Sequence, residues 1–356
     1  MDGSAIVICD GEYSTLSGKT AHGLVRETER YEILGVIDAP TAGRDAGEVL
    51  DGVHRGIPIY ASLARALSDL PGRPDYCIVG VATHGGELTA SLRSQLGEAI
   101  AAGMHVVNGL HEYAADDPVL RQAATREGVT ITDLRRPKPK DQLHFWSGRI
   151  RLLRIPRIAM LGTDCALGKR TSSRFLLEAC NRAGIRTQLI YTGQTGWLQG
   201  GACGFVLDSV TNDFVSGEIE HAILQCAEQF SPQLILLEGQ SALRNPAGPC
   251  GSEFILSGEA RGVILQHAPG RLHFDGHEDQ GYRIPPVEEE IALIRLLGAE
   301  VLALTLNGQG LSTAELVEAR KRLEEQLGLP VICPLEEGMD PLIPVVRAFM
   351  AMEQAR

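Results

Sequence analysis

Short apolar runs separated by stretches of helical period recur along the whole chain. In the first half the runs fall at residues 5–9, 33–37, 57–60, 77–82 and 105–108, and residues 21–29, 61–70, 91–102 and 117–127 between them read as helices. Strands alternating with helices predict a parallel sheet whose crossovers are helical. The pattern halts at Arg135-Arg136-Pro137-Lys138-Pro139-Lys140, a basic, proline-broken stretch that reads as a linker. It then restarts, with a lead-in strand expected at 144–155 and further strands at 158–161, 187–191, 234–237, 262–267, 301–306 and 331–334. Helices are expected at 172–184, 215–228, 314–327 and 342–353. The expected architecture is α/β, in two parallel-sheet domains covering residues 1–140 and 141–356.

Composition narrows the class of partner. At 356 residues the chain is long for one core and sufficient for two α/β domains. A formal net charge of −12 argues against a general binder of nucleic acid or of anionic membranes, which would need a basic surface. No apolar run approaches the roughly 20 residues of a membrane span. The opening MDGSAIVICDG has no basic n-region, so a cytoplasmic location is expected. The eight cysteines are scattered without CxxC pairs, which fits reduced thiols better than disulfides or a zinc site.

The strongest chemical signal lies at residues 157–174. The apolar strand ends at Gly162, a small-residue loop runs through Thr163, Asp164, Cys165 and Ala166 to Gly168-Lys169, and Arg170 and Thr171 lead into a helix. Strand, glycine-bounded loop, lysine, hydroxyl and helix form the layout of a phosphate-binding loop: backbone N–H groups face an anion, the lysine adds charge, and a hydroxyl reaches magnesium. Two departures from the common pattern stand out. Five residues separate Gly162 from Gly168, and Arg170 intervenes between Lys169 and Thr171, so Thr171 is displaced from the usual metal-ligand position. Glu238, which ends a strand and opens Glu238-Gly239-Gln240, is where an acid would hold magnesium or a water near the phosphates.

Other candidates follow strand ends, where open α/β sheets bind ligands. Thr192-Gly193-Gln194-Thr195-Gly196-Trp197 reads as a polar, flexible loop, and Gln194, Thr195, Gln240 and Arg271 are expected to contact substrate. Each of Thr83-His84-Gly85-Gly86-Glu87 and Asn108-Gly109-Leu110-His111-Glu112 sets a histidine beside a carboxylate, as acid/base chemistry needs; the alternative is an ordinary surface pair. Gly18-Lys19-Thr20 reads either as a helix start or as an auxiliary anion contact. Asp38 stands where a Rossmann fold places its ribose-binding acid, but the first turn has no GxGxxG, so NAD is not expected. Asn307-Gly308 is either a base-recognition loop or a simple turn.

The loop MLGTDCALGKRT resembles that of dethiobiotin synthetase and related P-loop ligases, which also begin Gly-Thr-Asp with the five-residue spacing. A larger set, GVIDAPTAGRDAGEVLDG, NGLHEYAADDP, GTDCALGKRT, TGQTGW, EGQ and IPP, resembles a two-domain family of unknown function, one branch of which is assigned as D-glutamate N-acetyltransferase. The resemblance spans nearly the whole chain. It implies a Rossmann-like N-terminal domain followed by a P-loop NTPase-like domain. For the acetyltransferase branch it implies acetyl-CoA as donor, a D-amino acid such as D-glutamate as acceptor, Lys169 and Arg170 on the CoA phosphates, and Glu238 or His111 as the proton acceptor. Where relatives of that family are expected to show GlySer and HisPro, this chain has Ser241-Ala242-Leu243-Arg244-Asn245-Pro246, which leaves the substrate open. A homo-oligomer is expected. The competing reading is an ATP/Mg-dependent kinase or ligase that activates a carboxylate, with Thr171 and Glu238 on the metal.

Overall fold

A computed structural model describes residues 1–355, apart from the His84 side chain. The chain separates into two compact units, one made of residues 1–137 with 194–200, the other of residues 138–193 with 201–356.

The first unit is built on β1 (Gly3–Ile8), β2 (Tyr31–Ile37), β3 (Ile59–Tyr60), β4 (Tyr76–Val79), β5 (His105–Asn108) and β6 (Ile131–Asp133). Its helices are α1 (Lys19–Arg26), α2 (Ala46–Asp51), α3 (Leu63–Asp69), α4 (Ala90–Ala101) and α5 (Pro118–Glu127). Every strand pair is parallel, in the order β3-β2-β1-β4-β5-β6, which is the order of a doubly wound Rossmann sheet. Because both faces of such a sheet are covered, the central strand is apolar throughout: Ala5, Ile6, Val7 and Ile8 are fully buried. Gly18 caps α1, so Gly18-Lys19-Thr20 is a helix start. Asp38 is buried against the Tyr13 backbone N–H (3.1 Å) and the Thr41 hydroxyl (2.5 Å), so it orders its own loop.

The second unit carries β7 (Arg157–Gly162), β8 (Thr187–Tyr191), β9 (Cys203–Gly204), β10 (Leu234–Glu238), β11 (Gly262–His267), β12 (Glu300–Leu306) and β13 (Val331–Ile332). Its main helices are α6 (Lys169–Arg182), α8 (Asn212–Phe230), α10 (Val287–Leu296), α11 (Thr313–Leu327) and α13 (Ile343–Gln354), with the short α9 (Ser252–Leu256) and α12 (Pro334–Glu337) between them; α7 (Gln194–Leu198) belongs to the first unit. The sheet is again parallel, ordered β13-β12-β11-β7-β10-β8-β9. Side-chain alternation separates two cores. Ala159, Leu161, Val263 and Leu265 face α8, α10 and α11, whereas Ile158, Met160, Leu236 and Ile264 face α6 and α13.

Two expectations fail here, and one strand is unforeseen. Residues 144–155 form no strand; they run as a loop closed by a single 3-10 turn at Arg149–Leu152. Carboxylates of α8 replace a sheet ladder: the N–H groups of His144, Ser147 and Ile150 donate to Glu218 (3.0 Å) and Glu220 (2.6 and 2.9 Å). Residues 194–198 are the helix α7, not a flexible loop. The edge strand β6 gives no sequence signal because its short sequence Ile131-Thr132-Asp133 lacks an apolar run. Among the described residues no helix is long and apolar enough to cross a membrane.

Candidate functional site

The loop at residues 163–168 leaves the central strand β7 and enters α6. Ala166 (φ 50°) and Gly168 (φ 93°) both adopt left-handed backbone, a conformation of the kind found in anion-binding loops. Helix α6 starts at Gly168 with no side-chain cap and no acid in its first turn, which leaves its positive end to a ligand.

Lys169 is buried beneath this loop. Its ammonium donates to the Asp164 carbonyl (2.7 Å) and the Ser241 carbonyl (2.8 Å), and burial pulls its pKa below the usual lysine range. Asp164 is fully buried. It accepts from the Cys165 N–H (2.6 Å), Asn245 (3.1 Å), the Asp275 N–H (2.8 Å) and Arg271 (2.9 Å). Arg271, expected on the substrate, is placed as a clamp on the loop, because it also reaches the Cys165 carbonyl (2.8 Å) and Gln309 (2.6 Å). Asn307 likewise bonds the Leu167 carbonyl (2.9 Å), so the Asn-Gly turn supports the loop from the side of β12.

Helix α6 is pinned to the sheet by a buried network that sequence reading missed. Gln266 on β11 accepts from Ser172 (2.6 Å) and from Thr305 (2.7 Å). A lone glutamine inside the apolar run of β11 was the available signal. Thr163 lies 2.9 Å from Nδ1 of His267, whose pKa burial pushes down to about 4. Since the unfolded imidazole takes its proton near pH 6.5, folding excludes a proton that the unfolded chain accepts. His267 therefore contributes stability that is complete above about pH 6.5 and is lost as pH falls toward 4, on the order of 2–3 kcal/mol. His267→Asn should flatten the dependence of Tm on pH between about 6.5 and 4.5; an unchanged acid slope would assign it to the carboxylates instead.

Glu238 ends β10, and Arg170, the second residue of α6, meets its Oε2 at 2.7 Å. The Thr192 N–H donates to the same oxygen (3.1 Å), and its hydroxyl to the Glu238 carbonyl (2.7 Å). Gln240 donates to the Thr192 hydroxyl (3.0 Å), which joins the ends of β8 and β10. Gly239 packs so closely on β7 that a Cβ there would meet the Met160 carbonyl oxygen at 2.3 Å, which accounts for glycine in Glu238-Gly239-Gln240. The unit thus brings Gly162, Thr163, Asp164, Cys165, Gly168, Lys169, Arg170, Thr171, Glu238, Gln240 and Arg271 into one unit around the phosphate loop. A cavity of about 380 Å³ beside it is lined by His267, Arg271, Arg283, Pro285, Pro286 and Arg322.

His111, Gln194 and Thr195 belong to the first unit. There a cavity of about 290 Å³ opens past the strand ends, lined by Lys19, Thr83, Gly109, His111, Arg135 and Gln194. Burial and the nearby Arg135 hold the His111 pKa below its ordinary value. Glu112 is no partner for that imidazole, since it accepts from the Leu88 N–H (2.7 Å) and from Arg93. The side chain of His84 lies outside the described residues. Thr195 contacts Thr20 (3.5 Å). Among the described residues no group of three or more His, Cys, Asp or Glu side chains gathers as cation ligands.

Comparison with known proteins gives a consistent picture. Residues 144–343 match a domain of unknown function described as the DUF1611_C P-loop domain, and residues 39–137 match the DUF1611_N Rossmann-like domain. A crystal structure of a DUF1611 family protein from Anabaena variabilis superimposes with a TM-score of 0.87 at 30% identity, covering 97% of this chain and 99% of that one. A protein from Tritonibacter scottomollicae named D-glutamate N-acetyltransferase is 30% identical over 278 residues, 76% of this chain and 80% of its own length. One of the same name from a Pseudoalteromonas species is 29% identical over 271 residues, covering 75% and 79%.

Proposed function

This chain belongs to the DUF1611 family, and from that premise we propose that it is an N-acetyltransferase moving an acetyl group from acetyl-CoA to the amine of a D-amino acid such as D-glutamate. The observation that carries the reading is the likeness, over three-quarters of the chain, to two relatives that bear that name.

The phosphate loop supports it physically. A buried lysine, a helix start with no side-chain cap and left-handed backbone in the loop suit the diphosphate of CoA as well as they suit a nucleotide. In the reaction the acceptor nitrogen attacks the thioester carbonyl, the C–N bond forms, the C–S bond breaks, and the thiolate leaves and takes up the second nitrogen proton as the free thiol of CoA. One proton must leave the ammonium before attack, and Glu238 and His111 are the candidates for taking it.

The test is release of free thiol from acetyl-CoA in the presence of D-glutamate, with the N-acetyl product identified by mass. No thiol release with any acidic D-amino acid, together with consumption of Mg-ATP, would move the assignment to a carboxylate-activating ligase. If Glu238 is the proton acceptor, Glu238→Gln should lower turnover by about 100-fold with little change in Tm. Wild-type turnover in that variant would leave Glu238 as the structural partner of Arg170 alone.

A further inference from the structure

In the common phosphate loop the residue after the lysine is a serine or threonine that binds magnesium, and an acid at a neighbouring strand end holds the same ion. Here the residue after Lys169 is Arg170, and the acid at the strand end is Glu238. The two form an ion pair at 2.7 Å, with side chains only 15% and 6% exposed. The Thr192 N–H takes a further share of the same carboxylate oxygen. Thr171 sits one residue further along α6, about 100° around the helix from Arg170, and so is out of register with the usual hydroxyl position.

This donor set does not fit a magnesium ion. The hydroxyl ligand has been replaced by a cation, the carboxylate that would share the metal is already paired, and a divalent ion in that place would meet the guanidinium at contact range. A guanidinium, unlike a metal, is covalently fixed and cannot be removed by a chelator.

We propose that the Arg170–Glu238 pair stands where a magnesium ion would sit, so that this loop takes its diphosphate ester as the bare anion, without a divalent cation. The ligand class is a coenzyme-type diphosphate that enters metal-free, in contrast to a magnesium nucleotide. The inference rests on the reading of residues 162–171 as a phosphate site, and not on the identity of the acyl acceptor. Arg170 is then a specificity-determining residue of that site.

The test is calorimetric titration of the full-length protein with CoA and with ADP, first in excess EDTA and then with magnesium. The expected result is an affinity for CoA that agrees within about twofold in the two buffers, and Arg170→Ser that binds at least about tenfold more weakly in EDTA and regains affinity with magnesium. A wild-type affinity that rises tenfold or more with magnesium overturns the proposal while leaving the phosphate loop in place. Should Arg170→Ser not fold, Arg170→Lys decides with the wild type: it keeps the charge and should remain indifferent to EDTA, and magnesium dependence in it counts against the proposal. Binding of neither ligand in either buffer defeats the phosphate-loop reading itself, and the proposal with it.

Discussion

Replacing Lys169 with alanine is expected to weaken binding of CoA by about 100-fold or more, because charge-assisted hydrogen bonds contribute about 1.5–3 kcal/mol each. The ammonium lies within the loop on the Asp164 and Ser241 carbonyls, so its direct acceptors are neutral oxygens and, among the described residues, no carboxylate pairs with it at hydrogen-bond distance. Burial disfavours the charged form, which is the state that an incoming phosphate would favour. Stability should respond much less than binding. The variant removes a costly buried charge at the same time as it removes two hydrogen bonds, and the two effects oppose each other. Calorimetry and thermal melts on the same preparation check both halves. CoA binding that survives intact would take the loop out of the site.

Asp164→Ala is expected to be the most destabilising single change in the second unit, by about 3–5 kcal/mol. The carboxylate is fully buried and organises four donors: the adjacent Cys165 N–H and three from distant parts of the chain, Asn245, Arg271 and Asp275. Without it, the guanidinium of Arg271, only 11% exposed, loses its charge partner. Chemical denaturation measures the loss. Asp164→Asn should recover part of it, since an amide oxygen still accepts hydrogen bonds but carries no charge. A loss below about 1 kcal/mol for the alanine variant would mean that the loop is held from elsewhere.

Much of this architecture could be read from the chain, and the failures have physical causes. Buried parallel strands announce themselves as apolar runs, so β1, β7 and β11 were legible from their residues alone. The phosphate loop was legible because its glycines, lysine and following helix are contiguous. What holds that loop was not, since Asn245 and Arg271 lie 81 and 107 positions beyond Asp164. Nor was the place of Arg170. The sequence showed it displacing Thr171, but only the structure set it against Glu238. The lead-in segment departs from its expected strand for a related reason. Its apolar residues suggested a strand, whereas its backbone is satisfied by two glutamates of α8 some seventy positions away.

The short helix α7 bears on how the protein is made. Leu198 is fully buried in the core of the first unit, and Gln199 bonds the Gly23 carbonyl (2.7 Å) and the Glu27 carbonyl (2.9 Å). The first unit is therefore discontinuous in the gene product. A nascent chain that has emerged only as far as Pro137 lacks a piece of its own core, and completion must await residues 194–200, several seconds later at about 5–20 residues per second. Cutting the gene at the proline-rich stretch would give an N-terminal fragment with an open apolar groove. The C-terminal fragment would carry Trp197 and Leu198 with nothing of the first core to bury them.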